Sequence, residues 1–165
     1  MATVYLGLGS NVDPERNLRR GIDELRRRFG ALELSLVYRN KAVGFHGADF
    51  LNLVARLDTE ASLAQIDAEI ESIHTLVGRH RGADKFASRP LDIDLLLYDD
   101  LIQREPGPRV PREDILEYSF VLRPLAELAP ELVHPVTGRT IAEHWRAFDA
   151  ASQPLTPVDL DLQES

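Results

Sequence analysis

The sequence predicts an α+β fold, a ferredoxin-like βαββαβ sandwich with additional C-terminal helices. Three observations predict it. Two stretches place apolar residues at helical spacing, and each ends on a glycine, Gly30 and Gly78. Four stretches of strand length alternate or run apolar, one before the first helical stretch, two between the pair and one after the second. The order strand, helix, strand, strand, helix, strand is that of a split βαβ sandwich.

The first element, "TVYLGLGSN" (3 to 11), begins as a buried strand and reads as ending in a tight Gly-containing turn. It lacks the Gly-Lys-Ser/Thr and Gly-x-Gly-x-x-Gly nucleotide fingerprints. Asp13 and Pro14 read as N-cap and first-turn proline of a helix with Leu18, Ile22, Leu25 and Phe29 on its apolar face. The six arginines between 16 and 28 read as its solvated side. "ALELSLVYRN" (31 to 40) reads as the second strand, and "KAVGFHGA" (41 to 48) as a loop able to move. In "DFLNLVARLDT" (49 to 59), Leu51, Leu53, Ala55 and Leu57 share one face, and Phe50, Asn52, Val54 and Arg56 the other. Ser62 and Gln65 form a capping box for a helix striped by Leu63, Ile66, Ile70, Ile73 and Val77. After the fourth strand, Asp99 and Asp100 suggest a turn into a short strand at Leu101 and Ile102. Prolines at 108, 111, 124 and 130 punctuate short helices, and Thr140 with Glu143 caps a last one. Residues 1–149 read as one domain, and 150–165 as a loosely ordered acidic tail.

Composition narrows the function. With 44% hydrophobic and 28% charged residues among 165, one globular domain with a real core is expected. No apolar run approaches the roughly 20 residues of a membrane helix, the N-terminus has no secretory pattern, and cysteine is absent, so a cytoplasmic protein is expected. The formal charge of -8 argues against nucleic-acid and anionic-membrane partners. Small molecules are the expected partners, and no obligate protein partner is evident.

The chemistry concentrates in "RPLDIDLLLYDD" (89 to 100). Strand alternation puts Asp92 and Asp94 on one face and Leu91, Ile93 and Leu95 on the other. Adjacent carboxylates repel unless a cation compensates them, and oxygen-only ligands favour Mg²⁺ completed by water and phosphate. A wet strand face would show the same pattern. The preceding loop decides between the two, because Arg79, Arg81, Lys85 and Arg89 oppose only Asp84 in an otherwise acidic chain. Guanidinium groups beside paired carboxylates are what Mg²⁺-nucleotide transfer requires.

"FASRPLDIDLLLY" resembles the signature of the 6-hydroxymethyl-7,8-dihydropterin pyrophosphokinase family, whose members move the β,γ-pyrophosphate of ATP onto the pterin hydroxymethyl group in folate biosynthesis. "LGLGSN", "YRNKAVG", "DFLN", "GRHR" and "SFVLRPLAELAPELVHP" extend the resemblance over roughly residues 1 to 149. It implies an ATP- and Mg²⁺-dependent enzyme, with two Mg²⁺ ions bound by Asp92 and Asp94. Arg79 and Arg89 match the mobile-loop arginines on the phosphates, Arg81 another nucleotide contact, and Phe86 the loop aromatic. Asn52 matches the anchor of the pterin ring, Phe50 and Phe120 the aromatics between which it stacks, and Asn40 and Val43 the edge of its pocket. By the same resemblance Asp92 is a candidate proton acceptor, directly or through water.

The sequence departs from the family on the nucleotide side. Glu71 and His74 stand where the second helix often offers Gln and Glu. Arg112, Glu113 and Tyr118 replace a histidine, an aromatic and an arginine. Arg112 is expected to take over the histidine's phosphate contact, with Arg109 or Arg123 as candidates to restore the missing charge. Two other readings stay open, a paralogue with a different nucleotide or pterin preference and a pterin-binding module without transfer.

Overall fold

The structure is a computed structural model that describes residues 1–41, 48–78 and 89–162. Its elements run β1 (Ala2–Ser10), α1 (Pro14–Phe29), β2 (Glu33–Leu34), β3 (Val37–Asn40), β4 (Phe50–Thr59), α2 (Leu63–Val77), β5 (Asp92–Tyr98), α3 (Asp114–Glu117), α4 (Ser119–Leu128), α5 (Ile141–Ala147) and β6 (Thr156–Val158). The sheet order is β5-β1-β4-β3-β6, every pairing is antiparallel, and β2 also pairs with β4. The first four strands in this order, with α1 and α2 crossing on one side, make the expected ferredoxin-like sandwich.

Strand alternation separates the two faces. Val4, Leu6 and Leu8 of β1, Leu51, Leu53, Ala55 and Leu57 of β4, and Ile93 and Leu95 of β5 pack against the predicted stripes of α1 and α2. On the other face Tyr5, Val54, Leu96 and Leu97 lie beneath Ile115, Val121, Leu122, Leu125 and Ile141 of the C-terminal helices. A register shift opposite Tyr5 and Leu6 lets the successive residues Leu96 and Leu97 join that second cluster. The C-terminal helices cover the Tyr5 end of this face, and a cleft opens at the Gly7–Gly9 end.

Both capping boxes form as read, Ser62 with Gln65 and Thr140 with Glu143. Five local expectations are corrected. Gly7 and Gly9 lie inside β1 and make no turn, because the β1 ladder to β4 continues through Ser10 opposite Leu51. Asp13 is the N-cap and Pro14 opens α1 as read, but Asp13 is left-handed (φ 41°) and its side chain makes no capping hydrogen bond. The 31–40 stretch divides into β2 and β3, separated where Ser35 Oγ accepts from Val54 N at 2.9 Å. Leu101 and Ile102 form no strand, the local pairing being a single bridge between Gln103 and Val110. The arginine side of α1 is more than a solvated face: Arg28 reaches Glu69 of α2 at 2.7 Å, and Arg20 donates to the Leu76 carbonyl at 3.0 Å.

The tail is also more ordered than its composition suggested. Residues 156–158 pair with β3 (Val37↔Val158, Tyr38↔Pro157, Arg39↔Thr156), and Leu162 is buried in the first core. Arg19 and Arg26 donate to the carbonyls of Asp161 and Leu162. These partners lie far back in the chain, so no local periodicity marks the segment.

His134 is buried within the turn that the bridge from Val133 to Thr140 closes. Its Nδ1 accepts from the backbone N–H groups of Val136 and Thr137 at 3.2 and 3.3 Å, and a proton there would break both bonds. Burial, then the neighbouring His144, pulls its pKa below 6.5. The unfolded chain therefore binds this proton first as pH falls. The contribution is complete above the ordinary histidine range and is lost as pH drops below it through the folded value. Urea stability should fall as the pH is lowered through the ordinary histidine range and on below it. His134→Asn, which retains a side-chain acceptor without the titration, should flatten that part of the curve.

Candidate active site

A cleft of about 290 Å³ opens on the second sheet face, between the sheet and the start of α4. Its floor is set by register. Gly9 of β1 lies opposite Asp92 of β5 on one side and Asn52 of β4 on the other. Directly opposed residues share a face, so the carboxylate and the amide stand in one row with a glycine between them. Gly7 lies opposite Asp94 in the same way. The gap is enforced, since a Cβ on Gly9 would come 2.7 Å from Asn52 Oδ1.

At the β5 side each carboxylate has a guanidinium neighbour. Arg89 Nη1 stands 3.6 Å from Asp92 Oδ2, and Arg112 Nη2 stands 3.5 Å from Asp94 Oδ1. Arg112 Nε also faces Asp114 Oδ2 at 3.4 Å. Burial alone would lower the Arg112 pKa, but the carboxylates of Asp94, Asp114 and Asp92 outweigh it and hold the group firmly charged. Asn11 fixes the base of this half. Its Oδ1 accepts from Arg89 N at 2.7 Å, its own N–H donates to the Arg89 carbonyl, and its Nδ2 donates to the Ala48 carbonyl.

The other half is amide and aromatic. Asn52 Nδ2 donates to Asn40 Oδ1, Asn40 Nδ2 donates to the Lys41 carbonyl, and Phe50, opposite Asn40 in the ladder, completes that wall. The facing wall comes from α4, where Phe120 lines the cleft and stacks on Tyr118 at 4.9 Å between centroids. Asn40, Phe50, Asn52, Arg89, Asp92, Asp94, Arg112 and Phe120 therefore converge on one cleft. Val43, Arg79, Arg81 and Phe86 lie outside the described residues.

The substituted His74 and the two arginines read as candidates to restore charge sit away from the expected nucleotide contacts. His74 turns inward and is buried, its Nε2 accepting from Ile93 N at 2.9 Å between the two aspartates, with Nδ1 3.5 Å from Glu71. Arg123 lies over the Tyr38 ring at 4.7 Å and does not line the cleft. That ring's hydroxyl donates to Glu127 Oε1 at 2.5 Å, and burial together with this bond pushes its pKa up to about 12. Arg109 is held by Glu113 at 2.8 Å beside a second cavity that shares Arg112. Sequence reading missed Asn11, Asp114 and the two glycines as parts of the site, and named Tyr118 only as a substitution on the nucleotide side. The glycines left a signal, a G-x-G at strand period on the face of the aspartates, and Asn11 ends the quoted "LGLGSN".

The structure defines a two-part small-molecule cleft on a ferredoxin-like sandwich, charged at one end and amide-aromatic at the other. The family model described as 7,8-dihydro-6-hydroxymethylpterin-pyrophosphokinase (HPPK) matches residues 5–130. A relative from Aquifex aeolicus named 2-amino-4-hydroxy-6-hydroxymethyldihydropteridine pyrophosphokinase is 35% identical over 145 residues, covering 87% of this chain and 90% of its own. One of the same name from Methylorubrum extorquens is 34% identical over 153 residues, covering 90% and 95%. The crystal structure of Plasmodium falciparum HPPK-DHPS with pteroate matches with a TM-score of 0.72 at 12% identity, over 88% of this chain. The chain spans 42% of that structure's chain, and the match concerns the fold. The chain belongs to the 7,8-dihydro-6-hydroxymethylpterin-pyrophosphokinase family. Among the described residues, no helix is long and apolar enough to cross a membrane.

Two substitutions test this geometry. Gly9→Ala should displace the Asn52 amide, the flexible partner in the clash, and weaken ligand binding at the amide-aromatic end with little change in melting temperature. His74→Ala should leave the Ile93 N–H without its acceptor at a cost of about 1 to 3 kcal/mol, read from urea denaturation.

Proposed function

We propose that this chain transfers the β,γ-pyrophosphate of ATP to the hydroxymethyl group of 6-hydroxymethyl-7,8-dihydropterin and releases AMP, a step of folate biosynthesis. The observation that carries the reading is the row across three strands, Asp92, Gly9 and Asn52, which sets a carboxylate site and a heterocycle anchor side by side in one cleft. Two spacings between paired strands separate the ends by about 9.5 Å. That distance suits a flat bicyclic ring whose hydroxymethyl arm points at a polyphosphate.

Asn52 and Asn40 hold the pterin edge, and Phe50 and Phe120 flank its faces. Asp92 and Asp94 are the residues that would hold Mg²⁺, two ions in this reading. The donor set fits. It is oxygen-only, two carboxylates on one strand lining one cleft, and the remaining positions fall to water and phosphate. Mg²⁺ supplies the charge that neutralises the triphosphate. Arg89 and Arg112, already drawn toward the carboxylates, turn their remaining donors to phosphate oxygens, joined by Arg79 and Arg81 from the sequence before β5, where Phe86 offers its ring to the nucleotide. The pterin hydroxymethyl oxygen bonds to the β-phosphorus, the bond from that phosphorus to the α,β-bridging oxygen breaks, AMP departs with that oxygen, and the hydroxyl proton is released. Placement does most of the work, as in other phosphoryl transfers. The cysteine-free composition suits action in the reducing cytoplasm.

Asp92→Asn and Asp94→Asn keep side-chain volume and remove the charge. Each should lower AMP formation by about 10²-fold or more while pterin affinity, measured by calorimetry with Mg²⁺ and a non-hydrolysable ATP analogue, stays within a few-fold of the parent. Near-parental turnover in either variant would refute the assignment.

A further inference from the structure

The start of α4 has no cap of its own. Its N-cap residue, Tyr118, makes no side-chain hydrogen bond to the helix, although the first N–H groups of any helix need partners. The partner arrives from 34 residues further along the chain. Gln153 Oε1 accepts from Ser119 N at 2.9 Å, and Ser119 Oγ donates to the Gln153 carbonyl at 2.8 Å. The other end of the same amide, Nε2, donates to the Glu117 carbonyl at 2.9 Å, where α3 ends. One side chain thus satisfies the end of one helix and the beginning of the next, and fixes the junction between them.

That junction carries cleft residues on both sides. Asp114 on α3 pairs with Arg112, Tyr118 lies at the joint, and Phe120 follows Ser119 by one residue, stacked on Tyr118. Ser119 itself is buried and has no access to the cleft lining. Three residues after Gln153 the chain becomes β6 and pairs with β3, whose last residue, Asn40, belongs to the opposite wall. The segment 153–158 is tied at one end to the α4 wall and at the other to the strand that carries Asn40.

We infer that Gln153 is a positioning residue for pterin binding, acting through Ser119 and Glu117 to hold Phe120 and Tyr118 at a fixed distance from the Phe50 and Asn52 side of the cleft. It touches no substrate. Its effect falls on ring binding, because Asp92, Asp94 and Arg89 are placed by β5 and Asn11, and the Arg112 backbone N–H is held by the Leu96 carbonyl of β5 at 2.9 Å. The inference rests on the function proposed above.

The test uses the full chain with Gln153→Met, which keeps volume without the amide, and Gln153→Glu, which keeps the acceptor for Ser119 N–H and loses the donor to Glu117. In Gln153→Met the KM for the pterin should rise about tenfold. The KM for ATP, and kcat at saturating pterin, should stay within about twofold of the parent. Exchange of the Ser119 amide, followed by NMR, should accelerate in the same variant. Gln153→Glu should lie between parent and Gln153→Met. A folded Gln153→Met protein with parental pterin KM overturns the inference and leaves the proposed function standing. So does a uniform loss of rate that tracks the loss of folded protein, since that marks a purely structural role. A parent that neither binds pterin nor forms AMP overturns both.

Discussion

The register between β5, β1 and β4 is the constraint on which the rest depends. Antiparallel pairing puts Asp92, Gly9 and Asn52 in one line, and Asp94 with Gly7 in the next line on β5 and β1. A slip of one residue along β1 would turn its glycines to the helical side and bring Leu8 onto the cleft floor. Leu6 and Leu8 buried beneath α1 and α2 hold that register, so the apolar core on one face sets the polar geometry on the other. The carboxylate half and the amide-aromatic half are linked by backbone hydrogen bonds, with no contact needed between their side chains.

Charge inside the cleft follows the same logic. Two carboxylates on adjacent outward positions of one strand call for positive charge, and the protein supplies guanidinium groups from both chain neighbours of β5, Arg89 before it and Arg112 after it. The pairs are loose, at 3.6 and 3.5 Å, and only partly buried, so they hold little stabilisation and let the carboxylates exchange partners. Asp114 keeps Arg112 from collapsing wholly onto Asp94. Such pairs keep both carboxylates charge-compensated in the protein alone.

Much of the fold was legible because period-two and period-3.6 patterns are local. Leu51 to Leu57 and Ile66 to Ile73 could be assigned to their faces from spacing alone, and Asp92 and Asp94 to a shared face by the same rule. The site was legible where it rides on strands: Asn52 beside Phe50, and the paired aspartates. What escaped depends on partners distant in sequence. Gly7 and Gly9 read as a turn, because a glycine pair signals a bend unless the opposing Asn52 side chain is known. Asn11 and His74 are polar residues whose meaning comes from single backbone groups of Arg89 and Ile93. Gln153 and β6 carry no amphipathic pattern, and their role appears only once β3 and the α3–α4 junction are placed.

The residue at the centre of the last strand has a further consequence. Pro157 sits opposite Tyr38 on the outermost strand of the sheet, and it has no amide hydrogen to offer. A neighbouring molecule seeking to extend the ladder there would find a strand of three residues interrupted at its middle. β6 thus guards this edge of the sheet against edge-to-edge association, a protection that would vanish if the backbone edge of β3 were bare.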